Sequence, residues 1–442
     1  MSLKAESPIV IVGLGYVGLT LAAFMSDNGF QIHGTELKKS ILDQLRLNKS
    51  YFYEINLDNI LERVISKGSF TFSENIPKAS INRTFIITVG TPLLESREAN
   101  LEHIINCARE VAEAAIDDDF VILRSTVKLG VTNGIVRPIL EATGKKIGLA
   151  FCPERTLEGA AISELGKLPQ IIGADTEREK LQAGAIFNKL TSSIVMVSNI
   201  ETAELIKLTD NIQRDIHFAI SNEVAMAANK FNIKASEVIS AGKLGYPRTN
   251  LASPGPVGGP CLEKDPHLFA ESLGWSESLA QTARKINTLI VPESIEFISS
   301  QNFISMKKHL RISLLGLAFK GAPETNDLRG SISLQIYNSL KSRFPESEIL
   351  CFDPMITKLE ANKFGINLFS TVEESFEKAD LVLITNNNKI FSSLDIDSLS
   401  LKMNSPGFIY DYWGRFDNQL KLNTGVTYSS WGSHGVLRAT TR

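Results

Sequence analysis

The sequence has few of the residues on which several common functions depend. Only four of its 442 residues are cysteines, and these are scattered and form no Cys-x-x-Cys pair. Such usage argues against a disulfide framework and indicates reduced thiols in a cytoplasmic protein. The six histidines lack zinc-type spacing, so we expect no bound metal. No Gly-x-Ser-x-Gly motif is present, which argues against an α/β-hydrolase.

Charge and long apolar runs are also limited. The net charge is −3 and there is no basic block, so we expect no nucleic-acid partner. Residues 9–25 are apolar, but they contain glycines at turn spacing, lack a convincing cleavage site and are short for a membrane span. We therefore expect a soluble, cytoplasmic protein with no membrane partner.

The chain is too long for one hydrophobic core, and its ends share a rhythm of short apolar runs and helical patterns. This rhythm predicts an α/β protein with two Rossmann-like, doubly wound domains. The amino-terminal strands are predicted at Ile9–Val12, Gln31–Thr35, Thr84–Val89, Phe120–Arg124, Lys146–Phe151 and Gln170–Gly173. The carboxy-terminal strands are predicted at Ile312–Leu315, Glu348–Phe352, Leu381–Thr385 and Gly407–Tyr410.

Between these ends the pattern predicts a central helical domain. One long spine helix covers about 201–229 without Gly or Pro, and a second helical region covers about 275–301. The predicted domains are therefore 1–200, 201–305 and 306–442.

A dinucleotide-binding fingerprint follows the first predicted strand. It reads Gly13-Leu14-Gly15-Tyr16-Val17-Gly18 and precedes an apolar helix, which is the context that such a motif requires. The glycines allow a tight turn and a close approach of backbone N–H groups to a pyrophosphate. In the carboxy-terminal half, Leu315-Gly316-Leu317 resembles a glycine turn but lacks the full fingerprint, so we expect that domain to bind a nucleotide differently.

Glu36 ends the second predicted strand, where a carboxylate would bind the ribose 2′-hydroxyl of an adenosine. Because a 2′-phosphate would be repelled there, Glu36 favours NAD. Lys38 and Lys39 follow closely, and their simpler interpretation is a solvated helix start.

Cys261 lies in Gly258-Gly259-Pro260-Cys261-Leu262-Glu263-Lys264-Asp265. If Pro260 occupies the first turn of a helix, the thiol is at the positive end of the helix dipole, and Lys264 would further favour the thiolate. Asp265 is one turn beyond Cys261 and close enough to order a water. The alternative is that a cysteine is simply small enough for a glycine-rich loop.

Other polar residues are candidates for a ligand pocket. Lys207, Asn211 and Asn222 share a face of the long helix, which either faces a substrate or is a solvated stripe. Four more follow predicted strands, where open α/β sheets bind ligands: Thr91, Thr126, Glu154 and Glu158.

Together these motifs resemble the UDP-glucose/GDP-mannose dehydrogenase family over nearly the whole chain and in the family's order. The resemblance is carried by Gly13–Gly18, Val89–Leu93, Ser125–Val127, Pro153-Glu154, Glu204–Lys207 with Asn211, Pro254–Cys261, Leu315–Lys320 and Asn326–Arg329. It implies an NAD-dependent oxidation of the C6 alcohol of a nucleotide sugar to a carboxylate, with two NAD consumed. It also implies at least a homodimer built on the helix that contains Lys207.

The resemblance further implies roles for individual residues. Cys261 would be the nucleophile, Lys207 and Asn211 would stabilise oxyanions, and Glu154 would be the general base for hydrolysis. Thr126 and Asp265 would order water. Cofactor contacts are expected from Gly13, Gly15, Tyr16, Val17, Gly18, Glu36, Thr91, Thr126, Glu158, Lys264 and Arg329. Substrate contacts are expected from Glu154, Arg155, Lys207, Asn211, Gly258, Lys320 and Arg248, the last of these reaching the partner subunit's site.

The sugar is less constrained by the motifs. Tyr246-Pro247-Arg248 and Cys152-Pro153-Glu154-Arg155 resemble the UDP-N-acetylhexosamine branch of the family, whereas Lys264 and Glu158 resemble the UDP-glucose branch. We expect a UDP-N-acetylhexosamine, with UDP-glucose as the alternative. Two other classes are a non-catalytic nucleotide-sugar-binding protein and a one-step dehydrogenase, neither of which would need Cys261.

Overall fold

The computed structural model describes residues 8–78, 80–417 and 425–434. The chain divides into two compact units, which we call the first and the second unit. The first contains Met1–Asn211 and Lys264–Ser276, and the second contains Ile212–Glu263 and Glu277–Arg442. Within the described ranges, no helix is both long and apolar enough to cross a membrane.

The first unit contains a six-stranded parallel sheet with the strand order β3-β2-β1-β4-β5-β6. The direction of winding reverses between β1 and β4, as in dinucleotide-binding folds. The prediction of a doubly wound sheet is confirmed. Its strands are β1 (Ile9–Val12), β2 (Ile32–Thr35), β3 (Phe70–Ser73), β4 (Thr84–Ile87), β5 (Phe120–Leu123) and β6 (Gly148–Phe151).

Two further strands of this unit, β7 (Gln170–Ile172) and β8 (Ile194–Met196), form a separate parallel pair. The prediction that placed Gln170–Gly173 in the main sheet was therefore wrong: its end forms only an isolated antiparallel bridge to Phe151. Neither β3 nor β8 was predicted, because each is a short edge strand with polar or exposed positions.

In the described part of this unit, seven α-helices accompany the strands, and a short π-helix over Thr132–Val136 precedes the fifth. In the last of them, Thr176 and Glu179 form a capping box that satisfies the first backbone N–H groups. The helices are α1 (Tyr16–Asp27), α2 (Lys39–Arg46), α3 (Leu57–Ser66), α4 (Glu102–Ala114), α5 (Arg137–Glu141), α6 (Ala161–Glu164) and α7 (Glu177–Phe187).

The central region is helical, as predicted. Its spine helix is two residues longer at the carboxyl end than expected, while the second predicted helix starts later because Ser278 caps it. The helices are α8 (Ile200–Phe231), α9 (Ala235–Lys243), α10 (Pro260–Leu273), α11 (Leu279–Ser299) and α12 (Asn302–Met306).

The second unit contains a five-stranded parallel sheet with the strand order β10-β9-β11-β12-β13. The second doubly wound domain is thus confirmed, although the polar fifth strand was not predicted. Its elements are β9 (Arg311–Leu315), α13 (Ile332–Arg343), β10 (Glu348–Phe352), α14 (Lys358–Asn362), β11 (Leu381–Ile384), α15 (Lys389–Ser392), α16 (Ile396–Ser400), β12 (Gly407–Asp411) and β13 (Val426–Ser430).

Candidate active site

The glycine turn of the first unit has the shape that a pyrophosphate requires. Gly13 has φ +92°, and a Cβ on Gly18 would overlap the carbonyl oxygen of Gly13. Gly15 is open, since a Cβ there would meet no described atom within 4 Å beyond its chain neighbours. Because α1 starts at Tyr16 and Gly15 offers no capping side chain, the first N–H groups of the helix are available to an anion.

Glu36 lies at the end of β2 and its carboxylate reaches the glycine turn. Its two oxygens accept hydrogen bonds from the backbone N–H groups of Leu14 and Lys38, each at 3.0 Å. Lys38 and Lys39 are exposed, as a solvated helix start requires. The turn and this carboxylate together fit an adenosine ribose without a 2′-phosphate.

A buried carboxylate that the sequence did not indicate, Glu54, connects this turn to the segment after β6. The Tyr16 hydroxyl donates to Glu54, and the backbone N–H of Gly159 reaches both, at 2.8 Å from Tyr16 and 2.9 Å from Glu54. Burial raises the pKa of both Glu54 and Tyr16. The turn and the segment that bears Glu158 are therefore held together.

Glu154, at the start of the same segment, has its carboxylate saturated with donors. Arg124 donates to one oxygen at 2.7 and 3.2 Å, and the N–H groups of Arg155 and Thr156 donate to the other at 2.7 and 2.8 Å. Burial alone would raise the pKa of Glu154, but Arg124, the Thr156 N–H and the charge of Lys207 outweigh burial and lower it. A carboxylate in this environment is a poor proton acceptor.

Lys207 and Asn211 lie on one face of α8, as their spacing predicted. Lys207 is 9% exposed, and among the described residues none accepts a hydrogen bond from its ammonium group. Arg155 is fixed beside them, because its Nε donates to Asp210 at 2.7 Å. Because its ammonium group lacks an acceptor in the described chain, Lys207 is available to a ligand oxygen.

Asp265 brings three predicted site residues together. It is fully buried, one oxygen accepts from the Asn211 amide, and the other contacts the Lys264 ammonium at 2.6 Å. Lys264 therefore neutralises Asp265, a contact that the sequence did not indicate.

Thr91 and Thr126 meet at the ends of β4 and β5, where the Thr91 hydroxyl donates to the carbonyl of Thr126 at 2.5 Å. The loop after Thr126 is fixed by Glu204, a buried carboxylate on α8. Glu204 accepts from the N–H groups of Gly130 and Thr132 at 2.6 and 3.0 Å. The sequence placed Glu204 in a motif but gave it no role.

In the second unit, α10 begins at Pro260, so Cys261 occupies the first helical turn, as the motif predicted. Cys261 is exposed, whereas Cys107, Cys152 and Cys351 are buried. Exposure at a helix N-terminus is the environment that activates a thiol.

The two glycines before Cys261 pack against the loop that follows β9. Gly259 has φ +106°, and a Cβ on it would lie 2.6 Å from Phe319. The Gly259 N–H donates to the carbonyl of Gly330 at 2.8 Å, and a Cβ on Gly258 would overlap that same oxygen. Side chains at either position would displace the cysteine loop.

The remaining predicted binding residues of this unit are basic. The ammonium group of Lys320 lies 5.3 Å from the ring of Phe319. The exposed Arg329 is oriented by Asp327, with Nε at 2.9 Å from a carboxylate oxygen. Arg248 is exposed and its guanidinium lies 5.3 Å from the ring of Tyr246.

The second unit repeats the glycine turn of the first, but the two turns differ in three respects. Asp353 accepts from the N–H groups of Leu317 and Ala318 at 2.6 and 3.0 Å, as Glu36 does from Leu14. However, Asp353 is buried, and a Cβ on Gly316 would lie 2.5 Å from the side chain of Asn386. No helix starts at this turn, since α13 begins only at residue 332. The second turn therefore lacks the anion site of the first, which is consistent with a different mode of nucleotide binding.

Asn222 does not have the ligand role suggested by its place on α8. Its amide exchanges two hydrogen bonds with Gly255, at 2.9 and 3.2 Å, and donates to Asn287 at 2.9 Å. The partners are inside the protein, so Asn222 supports the cysteine loop. Across the described ranges, no group of three or more His, Cys, Asp or Glu side chains is arranged to hold a metal ion.

Family models match three successive parts of the chain. The NAD binding domain of the UDP-glucose/GDP-mannose dehydrogenase family matches residues 7–191, its central domain 201–289 and its UDP binding domain 313–418. The chain belongs to this family.

Individual relatives agree with the family models. A UDP-N-acetyl-D-mannosamine dehydrogenase of Pyrococcus horikoshii is 27% identical over 89% of this chain and 93% of its own length. An NDP-N-acetyl-D-galactosaminuronic acid dehydrogenase of Ralstonia nicotianae is 29% identical over 89% of this chain and 94% of its own. The solved structure of the UDP-D-ManNAc dehydrogenase from Pyrococcus horikoshii has a TM-score of 0.85 and covers 97% of this chain and all of its own, at 27% identity.

The chain is an NAD-dependent nucleotide-sugar dehydrogenase, with NAD as its cofactor. The glycine turn, the open position at Gly15 and the carboxylate of Glu36 are the groups of this chain that fit the cofactor.

Proposed function

We propose that this enzyme oxidises the C6 alcohol of a UDP-N-acetylhexosamine to the uronic acid through a covalent bond to Cys261. The observation that carries the proposal is the exposed thiol in the first turn of α10, after two glycines at which an added Cβ would be crowded. The named relatives that act on N-acetylated sugars support the substrate class.

The chemistry requires two oxidations and one hydrolysis. NAD, when bound, accepts the hydride in each oxidation. After the first oxidation, the Cys261 thiolate attacks the aldehyde carbon and forms a thiohemiacetal. Loss of a hydride and the hydroxyl proton then gives a thioester. Water attacks the thioester carbonyl, the C–S bond breaks, and the thiolate and a carboxylate are released.

Lys207 and Asn211 are proposed to stabilise the oxyanions of these steps. Lys207 is a largely buried residue whose ammonium group has no acceptor among the described residues, so a developing negative charge would find a donor that no group of the described chain occupies. Asn211 is oriented by Asp265, which fixes the direction of its amide. Thr126 and Asp265 are proposed to order the attacking water.

For Glu154 we propose a role other than the general base expected from the resemblance. Its lowered pKa and its four donors support a fixed negative charge beside Lys207 rather than the general base of hydrolysis.

Recognition of the substrate is proposed to involve Arg155, Gly258 and Lys320, with Arg329 at the cofactor and Glu158 near the nicotinamide. We propose a homodimer or a higher homo-oligomer built on α8, with Arg248 reaching the partner's site. The exposed apolar residues Leu205, Ile220 and Phe231 on α8 support such an interface. A cytoplasmic location is proposed because a reactive thiolate needs a reducing compartment.

The test is a panel of UDP-N-acetylmannosamine, UDP-N-acetylglucosamine, UDP-N-acetylgalactosamine and UDP-glucose, assayed for NADH formation. We expect the highest kcat/KM with one of the N-acetylated sugars. Preferred turnover of UDP-glucose would favour the alternative that Lys264 suggests. Binding of these sugars without any NADH would indicate a non-catalytic protein.

A further inference from the structure

A buried polar network lies beneath the cysteine loop, which we define as residues 254–259. The amide of Asn287 donates to the Asp215 carboxylate at 2.7 Å and to the Asp215 carbonyl at 2.9 Å. The same carboxylate oxygen lies 3.2 Å from Nη1 of Arg284, and Asn222 donates to Asn287 at 2.9 Å. All four side chains belong to the second unit and are buried.

Both ends of this network contact the cysteine loop. Nη2 of Arg284 donates to the carbonyl of Val257 at 2.7 Å. Asn222 accepts from the N–H of Gly255 and donates to its carbonyl, and its oxygen also accepts from the indole of Trp431 at 3.0 Å. The network therefore holds the cysteine loop by hydrogen bonds at two points within the six residues that precede α10.

The network follows from the spacing of its members on two helices. Asp215 and Asn222 are seven residues apart on α8, and Arg284 and Asn287 are three apart on α11, so each pair occupies one helix face. Because the network is buried, its charged pair stabilises the fold little more than apolar residues of the same size would. What the network specifically determines is the position of the cysteine loop.

We propose that Arg284 is a positioning residue for Cys261: its guanidinium, which forms an ion pair with Asp215, donates to the carbonyl of Val257 and thereby fixes the start of α10. This inference rests on the proposed function of Cys261 as the nucleophile. Displacement of the loop would move the thiol from the helix N-terminus, so the thiolate would be less stabilised and the attack on the aldehyde less well aligned.

The test compares Arg284→Lys with the matched control Arg83→Lys. Arg284→Lys keeps a positive charge beside Asp215. Its single ammonium group, however, cannot contact both the Asp215 carboxylate and the Val257 carbonyl as the planar guanidinium does. Arg83 is also buried and also donates to backbone carbonyls, those of Pro77 and Ala114 at 2.5 and 2.6 Å, but it lies in the first unit. The two variants thus remove comparable contacts at different places.

Two readouts are measured beside Tm. The first is the rate of Cys261 alkylation by iodoacetamide as a function of pH, followed by peptide mass. It needs no substrate and is selective because the other three cysteines are buried. The second is kcat for the most active UDP-sugar together with KM for NAD.

For Arg284→Lys we expect alkylation at neutral pH to be slower by about threefold or more, with its midpoint at higher pH. We expect kcat to fall roughly ten- to a hundredfold, while KM for NAD changes by less than about twofold. Arg83→Lys should alter Tm alone. If Arg284→Lys proves unfolded, Asn222→Ser can be used instead, because it weakens the hydrogen bonds between Asn222 and Gly255. It should give the same changes in alkylation and kcat.

The proposal would be overturned if folded Arg284→Lys and Arg83→Lys had the same rate of Cys261 alkylation and the same kcat. Slower alkylation in a protein that oxidises no UDP-sugar would support the positioning role and reject the proposed function. The two failures are therefore separable.

Discussion

The contact between Arg124 and Glu154 allows a quantitative prediction for Glu154→Gln. The pair is buried, with 2% and 10% of the two side chains exposed, and two N–H groups of Arg124 donate to the same carboxylate oxygen. Glutamine has the same shape, but it leaves Arg124 without a counter-charge and turns one oxygen acceptor into a donor. Breaking such a pair costs about 3–5 kcal/mol, which is roughly 6–20 °C in Tm for a unit of this size.

The assay is thermal unfolding at neutral pH, with Glu177→Gln as the control. Glu177, whose side chain is 78% exposed, forms an ion pair with Lys180 in the same unit, so its loss should cost at most about 1 kcal/mol. Because the pKa of Glu154 is lowered in the folded state, the stabilisation is complete above its unfolded pKa and disappears as pH falls below it. An equal Tm for the two variants at neutral pH would refute the assigned energetics.

Three further outcomes are expected. Because of Glu36, the wild-type kcat/KM for NAD should be well above that for NADP, and Glu36→Gln should reduce the ratio of these two values. Equal kcat/KM values for NAD and NADP in the wild type would show that Glu36 does not face the ribose. Gly18→Ala should abolish NAD binding in titration calorimetry, since its Cβ overlaps the turn, and retained affinity would contradict the turn geometry. Burial lowers the pKa of His434, stacked 3.7 Å from Phe297, to about 3. Protonation of His434 therefore favours the unfolded chain. Denaturant unfolding between pH 6.5 and 3 should show that the wild type loses about 1.4 kcal/mol of unfolding free energy per pH unit more than His434→Gln does. Parallel pH profiles of the wild type and His434→Gln would exclude this role.

The sequence was sufficient for features whose signal is local. The glycine turn at residues 13–18, the long α8 and the helix start at Pro260 follow from residue types and spacing. The edge strands β3, β8 and β13 were missed because their side chains are polar or half exposed, so their strand character depends on pairing with a neighbour.

Residues whose role depends on distant partners could not be found in this way. Glu54 is 105 residues from Gly159, and Arg124 is 30 residues from Glu154. Asn222 was interpreted as a ligand-binding residue because a buried amide needs partners, but those partners come from Gly255 and α11. Local periodicity shows that a polar group is buried, and only the tertiary fold shows what satisfies it.

The central claim is that one active site performs two oxidations on an intermediate bound to Cys261. The most direct measurement is the number of NADH molecules formed per UDP-sugar consumed, with the product identified by mass. We predict two NADH, a uronic acid and negligible free aldehyde, because the thiohemiacetal retains the aldehyde until the second oxidation. One NADH per sugar, with an aldehyde or ketone as the end product, would contradict the account.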